Sequence, residues 1–60
     1  MSIKEVLMRR DGMSSDEADL RIKEATERMY EYLEMGLSID AENICEEYFG
    51  LEPDYIMELL

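Results

Sequence analysis

The feature that most restricts the fold is an apolar stripe between residues 18 and 33. Ala18, Ile22, Ala25, Met29, Tyr32 and Leu33 recur at spacings of three and four. At about 100° per residue they fall within an arc of about 100°, the width of a core-facing helix stripe. Ser14-Ser15-Asp16-Glu17 reads as a capping box that starts this helix. Gly36 stands where a left-handed C-terminal cap is expected. The spacing therefore predicts a helix over 16–35, close to 30 Å long at about 1.5 Å per residue. A compact chain of 60 residues has a radius of gyration of only about 10 Å. One helix must cross the whole molecule, and everything else must pack along it.

The remaining punctuation is also helical. Ser2-Ile3-Lys4-Glu5 fits a second capping box, with Ile3, Val6 and Leu7 on one side of a short helix that Asp11-Gly12 ends near Arg10. Ser38 or Asp40 would cap a third helix carrying Ala41, Ile44, Cys45, Tyr48 and Phe49 inward, with Gly50 closing it. Glu52-Pro53 opens a last helix whose Tyr55, Ile56, Leu59 and Leu60 pack back. Met8, Met35 and Met57 are expected to fill gaps where helices meet. No alternating strand pattern, internal repeat or linker interrupts this series. The expected fold over 1–60 is all-α, a small helical bundle of three to four helices. One long central helix is clasped by a short N-terminal helix and a C-terminal helical hairpin.

So short a chain buries only about 60% of the surface it exposes when unfolded, and small natural domains often add a crosslink or a metal. Cys45 is the only cysteine and histidine is absent, so an intrachain disulfide and a zinc site are both ruled out. Helix packing, self-association, or both must supply the stability. A lone thiol suits a reducing compartment. "MSIKEVLMRR" carries charge throughout, with no apolar run for a secretory leader or a membrane span. The expected location is the cytoplasm.

Charge is segregated along the chain. All six basic residues (Lys4, Arg9, Arg10, Arg21, Lys23, Arg28) precede position 29, where seven acids leave the first 28 residues near −1. Residues 29–60 hold nine acids and no base, a formal −9. Along the long helix, Glu17–Arg21, Asp19–Lys23 and Glu24–Arg28 place each acid four positions before a base, the favourable order for ion pairs. The C-terminal "EEYFGLEPDYIMELL" has the outline of a helix-turn-helix. A recognition helix, however, presents Arg, Lys, Asn or Gln to base edges, and here Glu52, Asp54 and Glu58 stand instead. Direct nucleic-acid binding is excluded, and an anionic membrane surface is disfavoured for the same reason.

No catalytic residues, cofactor or metal ligands are expected. Cys45 lies on an apolar helix face with no histidine to activate it. No Glu-x-x-His or EF-hand loop is present among the acids. Two features point instead to partners. Leu20, Tyr30 and Met35 lie off the core stripe and mark a self-association surface, for which a two-fold homodimer is the commonest solution. Glu46, Glu47, Glu52 and Asp54 form a candidate acidic docking face for a basic protein partner. A second reading takes the acids as a nucleic-acid mimic that inhibits a DNA- or RNA-handling enzyme.

The segments "RDGMSSDEAD" and "EEYFGLEPDYIMELL" resemble small uncharacterised acidic proteins of bacteria, phages and other mobile elements. These show a D-G-M/L-S-x-x-E-A start and end in F-G-L-E-P-D-Y followed by an apolar helix. The resemblance implies a small accessory protein of a mobile element rather than a metabolic enzyme. It carries no functional residues across to this chain.

Overall fold

The computed structural model describes residues 1–60 and is all-α. Its elements are α1 (Ile3–Arg10), α2 (Ser15–Glu34), α3 (Ser38–Glu42), α4 (Ile44–Phe49) and a final 3-10 helix, Pro53–Glu58. α2 has 20 residues and therefore spans about 30 Å, against a longest molecular dimension of 34 Å. The other elements lie along it, α1 on one side and the α3–α4 arm on another. The final 3-10 turn rests on α4.

Local chemistry fixes where the helices start and stop. Ser14 accepts the Glu17 N–H at 3.1 Å while the Glu17 carboxylate accepts the Ser14 N–H at 3.1 Å, a reciprocal capping box. At α1 only half of this device forms. Ser2 Oγ accepts the Glu5 N–H, but the Glu5 carboxylate meets the Ser2 hydroxyl rather than its backbone. α2 ends at Gly36, which sits at φ 76°. There the Gly36 N–H donates to the Leu33 carbonyl and the Leu37 N–H to the Tyr32 carbonyl. Together these bonds make a Schellman cap.

The core gathers Ile3 and Leu7 from α1, Ala18, Ala25 and Met29 from α2, Ala41 from α3, Ile44, Cys45 and Phe49 from α4, and Leu59. Ile22 and Tyr32 pack partly against it. Leu33 departs from the expected stripe and is 44% exposed. The chain reverses at Gly36, and the α3–α4 arm returns over the Tyr32 side, where the Tyr32 hydroxyl donates to the Glu47 carboxylate at 3.2 Å. Leu33 is one step of about 100° round from Tyr32 and stays uncovered.

Other expectations need correcting in detail. The third helix is broken at Asn43, whose φ −94° and ψ 9° lie outside the helical well. The apolar spacing of Ala41, Ile44 and Cys45 continues across the break, so the buried face is unaffected. Neither Ser38 nor Asp40 supplies a side-chain cap to α3. The final element is a 3-10 helix, with Tyr55 donating to Glu52 and Leu59 to Ile56. At three residues per turn, positions three apart align. Ile56 and Leu59 therefore share the inward edge, and Met57 and Leu60 share an exposed one. Leu60 thus does not pack back. Met8, Met35 and Met57 are surface residues rather than gap fillers, a role left to buried Met29 and partly buried Met13.

None of the three expected ion pairs on α2 forms. Glu17 is occupied by its cap, Asp19 pairs with Lys4 across the α1–α2 interface at 3.0 Å, and Arg28 pairs with Glu31 at 3.1 Å. The arginine of the first expected pair has a more consequential partner. Arg21 Nη2 donates to the Tyr48 carbonyl at 3.1 Å, and its guanidinium lies 4.9 Å from the centroid of the Tyr48 ring. Arg10 donates to the adjacent Phe49 carbonyl while gripping Asp11 at 2.9 and 3.0 Å. Two cations from the N-terminal half thus sit on the last carbonyls of α4, a helix end with no basic residue of its own.

Truncation should separate the true stripe from its exposed neighbour. Met29→Ala is expected to lower unfolding free energy by about 2–4 kcal/mol, and Leu33→Ala by less than about 1 kcal/mol, measured by urea denaturation. Removing the α4 clamp with Arg21→Met should lower it by about 1–2 kcal/mol, whereas Lys23→Met, at an exposed position, should change it little.

Candidate functional surfaces

The candidate residues read from the sequence belong to surfaces, and the geometry shows what each contains. Cys45 is fully buried. Desolvation, and secondarily the nearby Glu58 carboxylate, push its thiol above the ordinary cysteine value. Both effects disfavour the thiolate that nucleophilic chemistry requires. No three acidic or thiol side chains converge closely enough to hold a metal ion, and no helix is long and apolar enough to cross a membrane.

Leu20, Tyr30 and Met35 are 57%, 48% and 70% exposed, but they do not form one patch. Leu20 is ten positions from Tyr30, about 15 Å along the axis, and Met35 is about 22 Å from Leu20. Tyr30 and Met35 lie on opposite flanks of α2, about 140° apart. Leu20 instead borders a shallow depression with Met13, Glu17, Arg21 and Glu24. This surface mixes both signs of charge. Met13 is an addition from the structure, because it lies in the α1–α2 loop, where periodicity carries no information.

The four acids of the candidate docking face divide between two elements. Glu46 and Glu47 on α4 line one depression together with Asn43. Asp54, on the final turn, lines a second with Glu42, Pro53, Ile56 and Met57. It also lines a third with Met1, Tyr55 and Glu58. Glu52 is exposed at the entry to that turn, where its carbonyl accepts the Tyr55 N–H. Glu42 and Glu58 thus join Asp54; the sequence marks Glu58 only as an acid of the last helix, and Glu42 does not stand out in it. Glu58 also accepts the Ile3 N–H at 3.1 Å, tying the last turn to the start of α1.

The cations are distributed unevenly between structure and solvent. Lys4 and Arg28 are held in ion pairs, and Arg10 and Arg21 clamp α4. Arg9 and Lys23 remain exposed. Two carboxylates are held below the usual range. Glu17 is lowered chiefly by the backbone N–H of Ser14 and further by its side chain, and Asp11 by its hydrogen bonds from Arg10.

Thiol reactivity and pH response follow from these environments. In the folded chain Cys45 should react with a disulfide reagent far more slowly than a free thiol, and denaturant should restore the ordinary rate. Because folding raises this thiol, the unfolded chain loses its proton first. The contribution of Cys45 is full below the ordinary thiol range and is lost as pH rises through the folded value. Glu17 has the opposite sign. Its cap contributes above the ordinary carboxylate range and is lost as pH falls through the lowered folded value. Glu17→Gln should therefore flatten the acid limb of a stability-against-pH curve followed by circular dichroism.

The chain matches no family model, no curated protein and no solved structure.

Proposed function

We propose that this chain is a small, non-enzymatic, cytoplasmic interaction protein. It pairs with itself through the Leu20 flank of α2 and engages a basic protein partner through its acidic C-terminal half. The observation that carries the reading is the separation of two unlike surfaces on one small body. Leu20 stands exposed in the charge-balanced half, beside Met13, Glu17, Arg21 and Glu24. The half that begins at Met29 holds nine acids and no base. A two-fold pairing around Leu20 adds buried apolar area to a molecule whose own core is small, and it keeps the anionic ends apart.

The resemblance to small acidic proteins of mobile elements points toward an accessory role of this kind. The nucleic-acid-mimic reading has less behind it. Lys4, Arg10 and Arg28 each pair with an acid, and the C-terminal acids are spread over α2, α3, α4 and the final turn.

Sedimentation equilibrium at high micromolar concentration should give twice the chain mass. Leu20→Lys should weaken the pairing about tenfold or more, the equivalent of about 1.4 kcal/mol, without changing helical content. A chain that stays monomeric under those conditions overturns self-pairing. Charge reversal at Glu46, Glu47, Glu52 and Asp54 should remove binding to a basic partner, and unchanged binding overturns the acidic docking role.

A further inference from the structure

Residues 52–60 are joined to the rest of the molecule by a single hydrogen bond. Glu58 Oε1 accepts the Ile3 N–H at 3.1 Å. The Tyr55 N–H donates to the Glu52 carbonyl and the Leu59 N–H to the Ile56 carbonyl, so both of these bonds stay inside the segment. No ion pair reaches it. Its 3-10 helix buries no residue fully. Leu59 is its one side chain in the buried core, and Tyr55 and Ile56 pack partly against that core.

The other elements are held together without it. Arg10 and Arg21 grip the Phe49 and Tyr48 carbonyls, Lys4 joins Asp19 across the α1–α2 interface, and α2 packs against α1, α3 and α4. A joint also sets the segment apart. Gly50 ends α4 at φ 65°, the Leu51 N–H donates to the Cys45 carbonyl at 3.2 Å, and Glu52 is extended at φ −62° and ψ 150°. The final turn then rests on α4 itself. Cys45, on that helix, is fully buried. Burial, and secondarily the Glu58 carboxylate, raises its thiol, which puts the last turn beside it.

We infer that residues 52–60 form a strap that opens as a unit, hinged at Leu51 and Glu52 and latched by the bond from the Ile3 N–H to Glu58. Segments held by few buried contacts open at a lower free energy than the whole fold. Opening bares Cys45 and frees the Ile3 N–H, a first-turn donor with no partner inside α1. The four α-helices stay packed meanwhile. Entry to the interior is governed by this segment, whatever partner the outer surfaces take.

The test uses the full chain with Cys45 as its own probe. Reaction of the thiol with an aromatic disulfide is timed across a urea series, and global unfolding is followed by circular dichroism on the same samples. The thiol should react at least about tenfold faster than the globally unfolded fraction allows, with a weak dependence on urea below the transition. Ser14→Ala removes the α2 cap, which is present whether the strap is open or closed. It should lower global stability and leave the Cys45 rate unchanged. Glu58→Ala, at an exposed position, and Leu59→Ala should each raise the rate about tenfold or more. Leu59→Ala alters no charge and so separates opening from the electrostatic effect of Glu58 on the thiol. A rate that tracks global unfolding in the unsubstituted chain, or rises with it in Ser14→Ala, overturns the strap. An unchanged rate in Leu59→Ala does the same. The Ser14→Ala comparison decides the matter even where Leu59→Ala fails to fold.

Discussion

The structure depends on a mismatch of length. α2 is about 30 Å long, while the molecule measures 19 by 16 Å across its other two axes. No single neighbour can cover such a helix. α1 has 8 residues and α3 and α4 have 5 and 6. The cover is therefore assembled from short pieces, each too short to be stable as an isolated helix. Fully buried Ala18 and Ala25 offer side chains small enough for those pieces to approach the axis closely. Met29 supplies bulk to the same buried cluster as Ile44, Cys45 and Phe49.

Charge supplies the second set of joints. A chain with all its cations at one end repels itself along the acidic half, and the fold answers by bringing N-terminal arginines to C-terminal carbonyls. Arg10 and Arg21 reach Phe49 and Tyr48, where the exposed carbonyls of α4 and the negative end of its dipole favour cations. Lys4 joins α1 to α2 through Asp19. At the other end of the chain, the Glu58 carboxylate takes the Ile3 N–H, an unsatisfied donor in the first turn of α1. The basic residues thus act mainly as long-range staples. Pairs read four positions apart along α2 missed this, because Asp19 and Arg21 find partners on α1 and α4, while Glu17 is taken by the Ser14 cap and Arg28 by Glu31 of the same helix.

The legible parts of the fold are those that local rules decide. The capping box at Ser14, the glycine caps at Gly36 and Gly50, and the stripe from Ala18 to Tyr32 depend on near neighbours and on helical periodicity. Tertiary geometry decides the rest. Leu33 fits the stripe by angle but lies beyond the arm that covers Tyr32. Leu60 has the right composition to pack inward, but a 3-10 turn sets a period of three and turns it outward with Met57. For the candidate surfaces, the places of Leu20 and Tyr30 off the stripe followed from the helical wheel, whereas Met35 also suited a gap-filling role that the fold does not give it, and the separation of the three along and around the axis requires the helix length as well. Met13 and Leu37 stand in loops and Ile39 in the five-residue α3, where periodicity gives little signal and only the fold shows what is left uncovered.

That separation bears on how charge is arranged around the exposed apolar side chains. The charge beside them differs: Leu20 shares a depression with Glu17, Arg21 and Glu24, whereas Ile39 shares one with Asp40, in a stretch with no base after Arg28. A surface of mixed sign can be complementary to itself, since the acid of one copy can face the base of the other. A surface of one sign cannot, and its complement must come from a different chain. Under the proposed reading, the order of charges along the sequence distinguishes the two regions, a mixed surface suited to a second copy and an acidic one suited to a different chain.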